Sequence, residues 1–321
     1  MEYLLLIIGF ALLTFSADWL INGASGLAKR LNISDLVIGL TIVAFGTSAP
    51  ELVVNIVAAT EGSSDIALTN ILGSNIINTL IILGISATIY PVVCQKSTYH
   101  IEIPISILAG LAALLLGTNF FGLMHLGEKQ VGVSRFDGIM LIIVFICFCT
   151  YTIVQGLRSR TNSNDDTYVA IPIWKAILLI IVGLTGLIIG GELIVNNAVS
   201  IAKGLGISES IIGVTIVALG TSLPELATSA MAAFKKNTDL AIGNVIGSNI
   251  FNVFFVLGLS SIINPLTSYA NLQVDAAMAA GSSLLLLIFI AISRKRNINR
   301  IEGISMLAIY GIYLTWLLST L

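Results

Sequence analysis

The sequence predicts an all-α, polytopic membrane protein of ten transmembrane helices, built as two inverted five-helix repeats with helices 2, 3, 7 and 8 broken. Three observations carry that expectation. The 321 residues are 56% hydrophobic and only 10% charged, against about 25% charged in soluble domains, so polar surface is too scarce to cover a water-soluble globule. Residues 215–226, TIVALGTSLPEL, repeat residues 41–52, TIVAFGTSAPEL, at ten of twelve positions. The 174-residue offset holds without a gap from Asp18 against Glu192 to Pro91 against Pro265, which marks an internal duplication. Each copy carries five apolar segments. Because five is odd, the second copy enters the membrane from the opposite side, and a pseudo-twofold axis lies in the membrane plane.

Taken in order, segments long enough to cross about 30 Å of hydrocarbon fall at about 3–28, 33–60, 65–90, 99–119 and 135–158. Their counterparts lie at about 172–202, 207–234, 239–263, 271–292 and 299–320. The first segment has Glu2 where a signal peptide carries positive charge, so it is expected as a retained span. The division is a first repeat at 1–158, a linker at 159–171 and a second repeat at 172–321. The linker stretch SRTNSNDDT, residues 159–167, favours turn over helix. Lys and Arg distribute twelve to three between the two sides. One side holds Lys29, Arg30, Lys96, Arg158, Arg160, Lys175, Lys235, Lys236, Arg294, Lys295, Arg296 and Arg300; the other holds Lys129, Arg135 and Lys203. The positive-inside rule then places the linker in the cytoplasm and both termini outside a plasma membrane. Nothing in the charge pattern suggests nucleic acid, and Cys94, Cys147 and Cys149 read as reduced packing residues.

Ala44, Thr47, Ser48 and Glu51 are spaced i, i+3, i+4, i+7 and share one helix face, as do Ala218, Thr221, Ser222 and Glu225. Pro50 has no N–H for the carbonyl of Gly46, and its ring crowds that turn, so carbonyls near Gly46 and Thr47 are released. In hydrocarbon, free carbonyls are tolerated where they line a wet cavity or bind an ion. Beside a carboxylate they make a cation site. The third span adds Asn70, Ser74 and Asn78, and the eighth adds Asn244, Ser248 and Asn252, each set spaced i, i+4, i+8 on one face. Together these supply more than the six to eight hard oxygens that Ca²⁺ prefers, leaving pockets for a smaller monovalent ion. No Cys or His joins the stripes, which disfavours zinc and copper.

Single serines and asparagines in membrane helices usually serve interhelical packing, and Ser74, Asn75 and Asn249 fit that reading as well. A mid-membrane glutamate has no such bland explanation, because an ionisable group there is costly and mostly functional. Asp18 and Glu192, equivalent across the repeats, lack a broken-helix context and read as helix contacts or as part of an ion entrance. His100 and His125 fall near segment ends. Gly183, Gly186, Gly190 and Gly191 fit close packing or sliding of the sixth helix.

The paired GTS-x-PE motifs, Gly46 to Glu51 and Gly220 to Glu225, and the paired GSNI-x-N motifs, Gly73 to Asn78 and Gly247 to Asn252, resemble the α-repeats of the sodium/calcium exchanger family, in its compact archaeal and bacterial form. The resemblance covers all ten spans. It implies Na⁺/Ca²⁺ exchange by alternating access, with helices 2, 3, 7 and 8 forming the site and helices 1 and 6 sliding across them. By position, Glu51 and Glu225 ligate Ca²⁺ with the carbonyls of Thr47 and Thr221. Flanking Na⁺ pockets use Ala44, Thr47, Ser48 and Ser248 on one side and Ala218, Thr221, Ser222 and Ser74 on the other, and Asn78 and Asn252 face the middle. The second repeat of the family often has Asp at position 252, so here the cluster holds two formal negatives. A second departure sets Thr69 against Gly243. No regulatory loop, resident cofactor or obligatory protein partner is expected; the partners are the ions and the bilayer.

The nearest alternative is proton/calcium exchange. Those relatives tend to carry Asn where this chain has Thr47-Ser48 and Thr221-Ser222, hydroxyls that suit Na⁺. A channel would use the same oxygens, but an inverted repeat with broken helices fits alternating access better. An intramembrane enzyme is disfavoured by the lack of HExxH, Ser–His or Cys–His arrangements and of any nucleotide loop.

Overall fold

The computed structural model describes residues 1–118, 132–158, 171–207, 212–293 and 296–319, the side chains at 213 and 214 excepted. His125, Lys129, Arg160, Arg294, Lys295 and all of the linker before Ile171 lie outside the described residues. Among the described residues, eight continuous helices are long and apolar enough to cross a membrane, and two further helix pairs are bent by more than 40° at a short break, which makes ten elements if each pair is counted as one. They are α1 (Glu2–Leu31), α2 (Asp35–Thr47 plus Ala49–Thr60), α3 (Ser64–Ile89), α4 (Thr98–Gly117), α5 (Arg135–Arg158), α6 (Ile173–Gly204), α7 (Thr215–Thr221 plus Leu223–Phe234), α8 (Thr238–Ile263), α9 (Leu272–Ile292) and α10 (Arg300–Ser319).

The bends are 47° in α2 and 61° in α7, at Ser48 and Ser222, each two residues before a proline. The expectation that the third and eighth helices are also broken is corrected. Neither contains proline, and each runs through its mid-membrane asparagine as one helix. Each takes up its irregularity as a π turn, Asn78–Ile82 in α3 and Asn252–Leu257 in α8. A π turn widens the ladder without ending it and recurs at functional sites.

Connections that touch one another define two faces. On the first, Val92 and Val93 between α3 and α4 pair with Ile298 and Asn297 between α9 and α10. There Gln95 donates to Asp239 at the start of α8 (2.5 Å), and Asn237 in the α7–α8 turn donates to Ser25 (2.9 Å) and Asp35 (2.7 Å). On the second face Val133 bridges Leu266, and Asn264 donates to the Ala59 carbonyl at the end of α2 (3.1 Å).

The most buried spans are α3 and α8, and the larger core gathers around them with α4, α5, α9 and α10. Packing crosses between the repeats: α5 meets α8 at Gly138 and Gly258, and α10 meets α3 at Gly303 and Gly84. The long helices α1 and α6 form a separate apolar cluster with parts of α2, α7 and α8. Their closeness depends on missing side chains, since a Cβ on Gly183 would stand 2.8 Å from the Leu20 amide and 2.9 Å from the Ser16 carbonyl. All three cysteines are free. Burial, with Asp239 nearby, pushes the Cys94 thiol up to about 12, an inert packing residue.

Gly183→Ala forces backbone apart and is expected to destabilise by about 1–3 kcal/mol. Gly191→Ala meets nothing nearer than 3.9 Å and should be neutral or slightly stabilising. Melting temperatures in detergent check this; equal values would contradict the close α1–α6 contact.

Candidate functional site

Proline chemistry builds the centre. Pro50 and Pro224 supply no amide to the carbonyls of Gly46 and Gly220, and each helix restarts one residue before its proline. Glu51 and Glu225 therefore sit in the first turn of a helix half, where the positive end of the peptide dipoles favours a carboxylate. Both side chains are fully buried.

The serines at the two breaks cross over. Ser48 of α2 donates to Glu225 Oε1 on α7 (2.7 Å), and Ser222 of α7 donates to Glu51 Oε1 on α2 (3.3 Å). Ser74 of α3 also donates to Glu51 Oε1 (3.3 Å). Each carboxylate thus has one oxygen held by hydroxyls, while Oε2 of both is buried without a hydrogen-bond partner. Two such carboxylates in one low-dielectric place call for a compensating proton or metal cation, because each buried charge is costly without an opposite partner. Among the described residues no group of three or more His, Cys, Asp or Glu exists, so the surrounding donors are neutral hard oxygens. That set fits Na⁺ or Ca²⁺ better than a soft metal.

The expected residues fall into two sets. Glu51, Glu225, Ser48, Ser222 and Ser74 are joined directly. Thr47 is fully buried but donates to its own helix at Val43 (3.1 Å) and to Asn244 Oδ1 (3.1 Å). Asn244 in turn donates to the Glu225 carbonyl (3.4 Å). Ala44 is buried against Gly247, while Ala218 and Thr221 are half-buried. Ser248 and both amide atoms of Asn78 are buried without hydrogen-bond partners. Asn252 donates to Asn75 (3.2 Å), Asn75 to the Asn249 carbonyl (3.2 Å), and Asn249 to Thr79 (2.8 Å). Asn75 and Asn249, weighed as packing residues, therefore link α3 to α8.

Sequence reasoning missed Asn55, which donates to the Glu51 carbonyl (2.9 Å), and its repeat equivalent Ser229, which accepts from Asn244 (2.9 Å). Both stand four residues after a site glutamate, a spacing that puts them on the same helix face. Of the two outlying acids, Asp18 pairs with Lys235. Glu192 lines a cleft of about 270 Å³ with Asn196, Val54, Gly220 and Thr221, among others. The cleft lies between α2, α6 and α7 and reaches the break in α7. The hydroxyl of Thr221, buried without a partner, belongs to the same wall.

Bound Ca²⁺ stabilises a protein that holds it only when folded, by about 2.7 kcal/mol at a hundred times its dissociation constant. A Ca²⁺-dependent rise in melting temperature is expected for the wild type and should vanish in Glu51→Gln and Glu225→Gln. Ser48→Ala, which removes one hydrogen bond to a carboxylate, should weaken the effect about tenfold in Ca²⁺ concentration. An undiminished shift in Glu51→Gln would show that the ion sits elsewhere.

The family model described as sodium/calcium exchanger protein matches residues 1–154 and 175–319. The sodium/calcium exchanger MaX1 of Methanosarcina acetivorans is 32% identical over 342 residues, covering 98% of this chain and 97% of that one. The Ca²⁺/H⁺ antiporter ChaA of Bacillus subtilis is 28% identical over 290 residues, covering 85% and 81%. A solved structure of the sodium-calcium exchanger NCX_Mj superposes with a TM-score of 0.82 at 33% identity, covering 98% of this chain and 97% of that one.

Proposed function

The chain belongs to the sodium/calcium exchanger protein family, and from that premise we propose that it exchanges Na⁺ for Ca²⁺ across a membrane by alternating access. The observation that carries the reading is the reciprocal pair, Ser48 on Glu225 and Ser222 on Glu51. Each carboxylate is completed by the other repeat, so the site exists only where the two copies meet. Both glutamates together neutralise one Ca²⁺; with Ca²⁺ gone, the same carboxylates and the hydroxyls of Ser48, Ser74, Ser222 and Ser248 serve Na⁺. The two ions therefore compete for shared oxygens, and a protein that moves only when loaded couples their gradients.

Ten spans in two inverted five-helix repeats, 1–158 and 172–321 joined by a linker at 159–171, make the scaffold of this reading. In its support, the turn after α2 lies on the second face with Asn264, whereas its repeat equivalent after α7 lies on the first face with Ser25. The charge count supports a plasma-membrane orientation with both termini outside. The full ion set comprises Glu51, Glu225, Thr47, Thr221, Ser48, Ser222, Ala44, Ala218, Ser74, Ser248, Asn78 and Asn252, without a resident cofactor. The backbone carbonyls of Ala44, Ala218, Thr47 and Thr221 are the donors at those four positions.

Proton/calcium exchange is the second reading, favoured by the similarity to ChaA. Calcium-loaded proteoliposomes separate the two. Adding Na⁺ outside should release calcium at once, and a pH gradient at zero sodium should release little. Equal release under the pH gradient would replace the sodium reading with the proton one, and release without any counter-ion would indicate a channel.

A further inference from the structure

The 174-residue repeat predicts two equivalent half-structures, so positions where the copies differ are where the two access states become unequal. Three such differences are found, one where α7 meets α1 and two where α8 meets α2. The first is at the end of α7, where Lys235 Nζ lies 2.5 Å from Asp18 Oδ1 and 2.7 Å from Asn22 Oδ1 on α1. Asn22 donates back to Asp18 Oδ2 at 2.9 Å. The equivalents of Asp18 and Asn22 are Glu192 and Asn196, which line the open cleft. The equivalent of Lys235 is Glu61, an acid that cannot pair with Glu192.

The second difference sets Gly243 against Thr69. On Gly243 a Cβ would stand 2.8 Å from the Leu36 carbonyl and 3.2 Å from Gly39 Cα, so bare backbone lets α8 close on the first half of α2. Thr69 is exposed and bonded to its own helix at Asp65. The neighbouring glycines agree, since a Cβ on Gly247 would lie 2.8 Å from the backbone of Leu40 and one on Gly73 would meet nothing within 4 Å. The third difference is aromatic. Phe45 of α2 meets Phe251 of α8 edge-on and Phe255 at a tilt, with ring centroids 5.0 and 6.2 Å apart, and the equivalents of the three are Leu219, Ile77 and Ile81.

We infer that these substitutions make a one-sided latch: the Lys235 ion pair, the Gly243 crossing and the Phe45 ring contacts hold the first-face entrance shut, and among the described residues the equivalent positions form no such set on the second. The protein rests with its α2–α6–α7 cleft open, and closing that cleft must break the Lys235 clamp as α1 and α6 shift. Asp18 thereby acquires a role as a positioning residue remote from the ion site. The inference rests on the alternating-access reading above.

Hydrogen–deuterium exchange on the full chain in nanodiscs tests it, with Na⁺-driven calcium flux run in parallel. Lys235→Met keeps the stem and loses the charge. It should raise amide exchange in the α7–α8 turn and the first half of α2 while lowering it along the cleft walls of α6 and α7. The expected change in the ratio of the two states is about fivefold, what an ion pair of ordinary strength carries. Glu61→Lys, at an exposed position, offers a lysine to Glu192 and Asn196 and should protect the cleft without disturbing the first face. A uniform rise in exchange for Lys235→Met, or no cleft protection in Glu61→Lys, overturns the latch if the wild type still exchanges calcium. Wild-type protein without Na⁺-driven flux overturns the functional reading instead.

Discussion

Two carboxylates buried within reach of each other's helix are the constraint from which the rest of this structure follows. Neither Glu51 nor Glu225 has solvent around it, and each keeps an oxygen that no protein donor satisfies. A cation is the natural completion of such a pair, and when it leaves, another cation or a proton must take up the charge. Exchange is thus a property of the electrostatics before it is a property of any motion. The hydroxyls that reach across from the opposite bend matter because they are neutral. They position the carboxylate oxygens without discharging them, and they remain available as ligands to an ion of lower charge.

The fold supplies what that pair requires. Proline at the second position of each restarted helix opens the backbone at the candidate site, and the glutamate one residue later meets a favourable dipole. Around this centre α3 and α8 stay continuous, their irregularity confined to π turns, so the wall of the site is unbroken while α2 and α7 are bent. The α1–α6 pair stands apart in its own apolar cluster, touching the centre mainly through α2 and α7. A unit packed glycine to backbone against itself, and more loosely against the core, is suited to moving as one body.

Much of this was legible in the sequence because duplication doubles every signal. The repeat of TIVAxGTSxPEL identified the two bends, the acids and the serines, and hydropathy located the eight long apolar helices. What resisted reading depends on distances that spacing does not encode. Asn252 sits on the expected stripe of α8, yet its direct bond runs to Asn75 on α3 and not to a carboxylate. Helices 3 and 8 were expected to break along with helices 2 and 7, but without proline each stays one helix and widens locally into a π turn. Thr69 opposite Gly243 carried no meaning until the crossing of α8 over α2 was visible. Lys235, counted only as a topology charge, proved to be the partner of Asp18, a contact between residues far apart in the chain.

The central claim is that both ions occupy one shared set of oxygens organised by Glu51 and Glu225. Equilibrium binding of Ca²⁺ to the detergent-solubilised protein, titrated at a series of Na⁺ concentrations, tests it without any transport assay. The account predicts a single class of Ca²⁺ site per chain whose apparent dissociation constant rises with Na⁺, more steeply than in proportion, while its capacity stays constant. Calcium binding that is indifferent to Na⁺, or that loses capacity at unchanged affinity, would contradict it.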